Sequence, residues 1–341
     1  MKDNVLIPGY LCNLFANSEV FVRKSKMDCT YFVAFCRKRK AQGYPIVAVW
    51  LAVLSTTTVQ AQVFTTDLEH FWTTRDSVLA TRDTTRQIEL INRLYIGKAS
   101  PGLAAFMRNK EELPGKWRAF ITQNAESWLA LKEKMPVVEA AAAEVKSQIR
   151  RFRTLYPDLR PAETYFLIGL GMQGGTVRGN LSLLFAEVIL RDAAGPKDQL
   201  VFLAVHEYVH TQQKRPDFQK INVLTSCIRE GACDFVASLV TGRPVAAGYS
   251  TYGLRHEQEV WEAFQKDMYT GNNDNWVSTG PNPALPAPDL GYFVGHQICE
   301  AYYRKSADKA AALKTIIELD YADPEAVSRF WRESGYKGGR R

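Results

Sequence analysis

The 341-residue chain is poor in the features that would make it a disulfide scaffold, a nucleic-acid binder or a membrane span. It holds six cysteines, and Cys12, Cys29 and Cys36 fall in the first 61 residues. Cys227, Cys233 and Cys299 remain, an odd and sparse set that builds no disulfide framework. Cys227 and Cys233 are six apart on an expected helix, about 240° round it, so they do not pair with each other. Basic residues form no stripe interleaved with aromatics. Residues 1–61 hold eight Lys/Arg against three Asp/Glu, so five of the seven net positive charges sit there. The rest of the chain is nearly neutral, and nucleic acid is not an expected partner. The Gly-rich stretch from Gly171 to Gly179 lacks a Gly-Lys-Ser/Thr ending and reads as a turn, not a phosphate cradle. The apolar run from Tyr44 to Val59 is shorter than the roughly 20 residues of a bilayer span.

What is there is a globular composition, 46% hydrophobic and 23% charged, in a chain long enough for one large or two ordinary domains. Its start reads as a leader. Arg37-Lys38-Arg39-Lys40 is a basic segment, Tyr44 to Val59 the apolar one, and Val59-Gln60-Ala61 a cleavage site. Cleavage after Ala61 leaves a mature chain from Gln62, exported to the periplasm or beyond, with no stable membrane span. The alternative is an uncleaved leader that anchors the protein. No cysteine follows the apolar segment, so no lipoprotein anchor is expected. Met27 is an alternative start.

Residues 62–160 read as a helical region. Thr66-Asp67-Leu68-Glu69 reads as a capping box, Ser100-Pro101 as a cap with proline at the first helical position, and Val138, Ala142, Val145, Ile149 and Phe152 as one buried stripe. His70 among these helices has no partner motif and reads as structural. From Thr164 the period changes, with strands expected over Tyr165–Gly169 and Leu181–Ile189 and turn glycines between them. An edge of that sheet is a place where an extended peptide can pair by its main chain. Residues 161–337 are expected to form the second region, closed by helices over about 221–240, 291–303, 308–319 and 324–334.

The chemistry gathers at His206-Glu207-Tyr208-Val209-His210. Residues four apart lie on the same face of a helix, so both imidazoles reach one metal ion. Glu207 is rotated about 100° from His206 and is free to hold a water on the open side. Val201–Val205 leads into the motif as a buried helix requires, with Asp198 as its expected N-cap. An apolar helix does not carry two histidines and a glutamate inward without something to satisfy them. Zinc suits three protein ligands and one open position. Glu230 is the expected third ligand, and Asp234 the acceptor for an imidazole N–H. Cys233 neighbours Glu230 but reads more simply as a small buried hydrophobe.

This pairing of His-Glu-x-x-His with Glu230-Gly231-Ala232-Cys233-Asp234 resembles the gluzincin metallopeptidases. Over about residues 64–337 the chain is similar to bacterial secreted zinc-dependent proteases related to gliding-motility lipoproteins. The similarity rests on Gln87–Gly97, His206–His210, Glu230–Ser238 and Asp289–Tyr303. It implies zinc on His206, His210 and Glu230, Asp234 orienting an imidazole, and Glu207 as general base. It also implies an α+β, zincin-like fold, largely helical, with a small mostly antiparallel sheet beside the His-Glu-x-x-His helix. No motif fixes the group that stabilises the oxyanion. Tyr292 and His296, four apart on one helix, are the first candidates, and Tyr252 and His256 their rivals.

The expected activity is hydrolysis of peptide bonds in a peptide or protein substrate. Two alternatives stand beside it: a zinc-holding binding or envelope-assembly module without proteolytic activity, and a hydrolase of a non-peptide bond such as an ester. Nothing in the sequence bears on oligomeric state.

Overall fold

Two apolar runs hold the centre of the sheet. The strands are β1 (Gln62–Phe64), β2 (Glu163–Leu167), β3 (Gly175–Arg178) and β4 (Leu181–Phe185), in the order β1-β2-β4-β3. β2 and β4 are buried from their second residue onward, on both faces, as inner strands must be. β3, Gly-Thr-Val-Arg, is only partly covered and takes the edge. In this computed structural model the described residues are 62–339, without 109–112, 172, 193–194, 218 and 278–284. The expected leader, its cleavage site at Ala61 and Met27 lie outside them.

The sheet is mixed rather than mostly antiparallel. β1 pairs parallel to β2 and β2 parallel to β4, and only β3 with β4 is antiparallel. The chain leaves β2, passes the place β4 will take, forms the edge, and returns through Gly179 to fill the gap. Leu170 and Gly171, with φ of 66° and 70°, turn it at the start of that excursion. Gly179 thus turns the antiparallel β3–β4 pair, as the turn reading expects, whereas Gly171 and Gly174 lie between β2 and β3, which are not neighbours. The strand expected over Leu181–Ile189 stops at Phe185, and the same apolar run continues as a helix from Ala186 to Asp192.

The body is largely helical, so the protein is α+β at the coarse level. Between β1 and β2 come α1 (Thr66–Leu79), α2 (Thr84–Leu94), α3 (Pro101–Met107), α4 (Leu113–Gln123), α5 (Ser127–Glu133) and α6 (Met135–Leu155). Phe71, Tyr95, Trp117 and Trp128 interlock edge to face between them, with ring centroids 5.0–5.6 Å apart. Ser100 caps α3 through Leu103 N–H, and the Val138–Phe152 stripe of α6 is buried, both as expected. The capping box at Thr66 does not form: Thr65 is the N-cap and makes no side-chain cap bond.

After β4 come α7 (Ala186–Asp192), α8 (Pro196–His210), α9 (Val223–Thr241), α10 (Gly248–Arg255), α11 (Glu257–Asp267), α12 (Leu290–Lys305), α13 (Lys309–Glu318) and α14 (Pro324–Ser334). α8 carries the histidine motif. Its N-cap is Gly195 in the left-handed region, not Asp198, which sits in the first turn. Asn222 caps α9 through Thr225 N–H, and left-handed Gly242 ends it. α9 and α12 touch backbone to backbone. A Cβ on Gly231 would lie 2.1 Å from His296 N, and one on Gly295 only 1.8 Å from Cys227 O. Among the described residues no helix is long and apolar enough to cross a membrane.

Candidate metal centre

α8 and α9 present matching four-residue spacings to each other. His206 and His210 lie on one face of α8, Glu230 and Asp234 on one face of α9. They pair crosswise, as antiparallel helices require: His206 Nδ1 lies 2.8 Å from Asp234 Oδ1, and His210 Nε2 lies 2.9 Å from Glu230 Oε2. His206 Nε2 is 3.6 Å from that same Glu230 oxygen. Two imidazole nitrogens thus face one carboxylate oxygen. Ligand atoms on a tetrahedral zinc with bonds of about 2.0–2.1 Å stand about 3.3 Å apart, so these spacings fit one ion.

The other nitrogen of each ring is also engaged. Asp234 accepts from His206, and Gln213 Oε1 lies 2.8 Å from His210 Nδ1. Gln213 is itself fixed by donating to Arg229 O at 2.8 Å. The Nε2 lone pairs of both rings are therefore left for the space beside Glu230, the arrangement of metal-bound histidines. Arg229 Nη1 holds the second Glu230 oxygen at 2.5 Å. Tyr249 donates its hydroxyl to Asp234 Oδ2 at 2.7 Å.

His206, His210 and Cys233 also form a group with the proximity to hold a metal ion. The Cys233 sulfur lies 3.2 Å from His210 Nδ1, on the side of the ring away from Glu230. Cys233 does not line the adjoining cavity, whereas Glu230 does. Burial pushes the Cys233 thiol well above its usual pKa, with Glu230 adding to it.

The charges ask for a cation. Burial opposes a charge on His206, but hydrogen bonds to Asp234 and Glu230 outweigh it and push its pKa up to about 10. Burial likewise opposes ionisation of Glu230. The imidazoles and the Arg229 guanidinium overcome it and hold its carboxyl well below the ordinary range. Glu207 goes the other way: burial, only partly offset by the two histidines, raises its pKa. With both imidazoles neutral, as metal ligands must be, ionised Glu207, Glu230 and Asp234 against one Arg229 leave two negative charges, which one divalent ion would balance.

A cavity of about 1100 Å³ opens over this cluster. Glu207 and His206 are on its floor, the edge strand β3 from Gly175 to Val177 forms one wall, and Arg243–Ala247 forms another. Gly175 lets strand and helix come together, because a Cβ there would lie 2.6 Å from Glu207 Oε1. Tyr292 lines the cavity, its ring centroid 6.2 Å from that of His206. His296 does not line it and packs on Phe235 at 5.8 Å. Tyr252 and His256 stack on each other outside the cavity, with His256 exposed and paired to Glu259.

His206, Glu207, His210, Glu230, Asp234 and Tyr292 therefore come together, and His296 stands apart. Sequence reasoning did not single out Gln213, Arg229, Tyr249 or Gly175. Gln213 and Arg229 adjoin the motif residues in sequence, whereas Tyr249 and Gly175 carry no local signal. No protein-family model, no curated protein and no solved structure matches the chain.

Proposed function

We propose that this chain is a zinc metallopeptidase of the gluzincin kind, acting outside the cytoplasm, with His206, His210 and Glu230 as ligands and Glu207 as general base. The observation that carries this reading is the facing of both Nε2 atoms to one Glu230 oxygen while both Nδ1 atoms are engaged elsewhere. Two nitrogens and one carboxylate oxygen, open to a cavity, make a donor set that suits zinc with a vacant fourth position. The Cys233 sulfur, turned away from the cavity, is a poorer third ligand for an open site.

Bound there, zinc supplies Lewis acidity, polarising a carbonyl and acidifying a water. Glu207 does the proton work. Its carboxylate, lining the cavity, takes a proton from the attacking water and returns it to the leaving amine, and burial raises its pKa, which makes it a stronger base once ionised. The free edge of β3 pairs with an extended peptide and lays its carbonyl over the centre. Tyr292, on the cavity side next to His206, is the residue we assign to the developing oxyanion in place of His296.

The test is digestion of a diverse peptide library, with esters alongside, by zinc-loaded protein and by Glu207→Gln. Peptide cleavage by the wild type alone is expected. Ester cleavage alone would move the reaction class. Zinc binding with no cleavage of either would favour the binding-module reading, and no bound zinc would sink the metal centre.

A further inference from the structure

Tyr249 stands at the start of α10, directly after the wall segment Arg243–Ala247, and itself lines the cavity. Its hydroxyl donates to Asp234 Oδ2 at 2.7 Å while the other oxygen of that carboxylate lies 2.8 Å from His206 Nδ1. Its ring stacks on Tyr292 at 5.3 Å, and Tyr292 in turn leans over the His206 ring at 6.2 Å. Tyr249 thus reaches the same imidazole by two routes, one polar and one aromatic.

From this we infer that Tyr249 is a positioning residue that couples the cavity wall to the metal centre, an inference that rests on the zinc reading above. The physics is that of a carboxylate with two jobs. Asp234 orients His206 only while its own torsion is fixed, and with the Tyr249 bond removed its second oxygen loses the hydroxyl that holds it. Outer partners of this kind are worth about 10–100-fold in metal affinity. Tyr249 is in turn held by a rigid element: Gly253, one turn on, packs so closely on α12 that a Cβ there would meet Phe293 at 2.4 Å. By linkage, whatever presses on the wall is felt at His206, and metal loading is felt at the wall.

The experiment compares zinc and cobalt dissociation constants of wild type, Tyr249→Phe, Asp234→Ala and the double variant by competition with a chromophoric chelator. Tyr249→Phe keeps the ring and its stacking and removes only the hydroxyl. The expected result is about tenfold or greater weakening in Tyr249→Phe, a changed cobalt visible spectrum, and no further loss when the change is made in Asp234→Ala. Circular dichroism of the metal-free forms checks that the fold is kept, and Tyr249→Trp, which also lacks the hydroxyl, serves if Phe folds poorly. Equal affinity in wild type and Tyr249→Phe would overturn the inference alone. A loss that persists in full in the Asp234→Ala background would overturn the route through Asp234. A wild type that takes up no metal would overturn this inference together with the reading beneath it.

Discussion

Gly175→Ala tests the packing of the edge strand on Glu207, the proposed general base. A Cβ at Gly175 would lie 2.6 Å from Glu207 Oε1, 2.8 Å from Cγ and 2.9 Å from Cδ. Ordinary contact begins near 3.5 Å, so the pair falls short by about 0.9 Å. The shortfall spans three atoms of the side chain, and α8 behind Glu207 is buried, so Glu207 must swing into the cavity or β3 must lift off. Overpacking of this kind costs about 1–3 kcal/mol, and replacing a strand glycine by alanine returns about 0.5–1 kcal/mol. The expected net loss of stability is about 1–2 kcal/mol, read by urea denaturation. In a Glu207→Ala background the clash disappears, so Gly175→Ala should there be neutral or stabilising, a strong non-additivity. For peptide cleavage, a displacement of this size predicts a loss of about a hundredfold in kcat/KM with zinc affinity unchanged. Gly115→Ala in α4, whose Cβ would meet nothing within 4 Å, is the control: it should leave turnover unchanged and, if anything, add up to about 1 kcal/mol of stability. Equal destabilisation in both Glu207 backgrounds, or wild-type turnover in Gly175→Ala, would refute the reasoning.

Other expectations follow from the same geometry. Metal removal should leave the protein folded but weaken it, by about 2.7 kcal/mol relative to free metal at a hundredfold over its dissociation constant; a calorimetric transition that does not move with added zinc would contradict this. Gly295→Ala drives a Cβ to 1.8 Å from a backbone oxygen and should cost about 3 kcal/mol or more, seen as loss of soluble protein. Glu187 is buried and accepts from Gly169 N and Gly171 N; burial raises its pKa from the ordinary 4.5 to about 7. A carboxyl whose folded pKa is raised takes stability away as pH climbs from about 4.5 to about 7, since the unfolded chain ionises first. Glu187→Gln should therefore be the more stable form at pH 8, by at most about 3 kcal/mol, and the two should converge below pH 4.5; a parallel pH dependence of both would refute it.

The centre was legible because its spacing is local. Four-residue steps on two helices and a buried approach run are written in consecutive residues, and the structure brings His206, His210, Glu230, Asp234 and Glu207 together. Tyr292 and His296 show where locality ends. Four apart on α12, they were equivalent in sequence, and what separates them is the rotation of α12 against α9, fixed by the Gly231–Gly295 contact. The sheet was misread for a different reason. β2 and β4 are apolar on both faces, which is the mark of inner parallel strands, but the nearby glycines suggested a hairpin between them. β1, three residues long, is too short to leave a periodic signature. Tyr249 acquires its partner only through the fold, across the end of α9 and the wall that follows it.

Glu230 stands next to Gly231, whose Cα rests directly on the main chain of α12, with no side chain between to compress or repack. Such a contact is a hard stop, not a spring. The distance from α9 to α12 is set by van der Waals contact between the two main chains, and Glu230 and Asp234 inherit that setting. On the zinc reading, a cavity assembled this way would not need to form around its ion, and loading would be the filling of a seat already shaped.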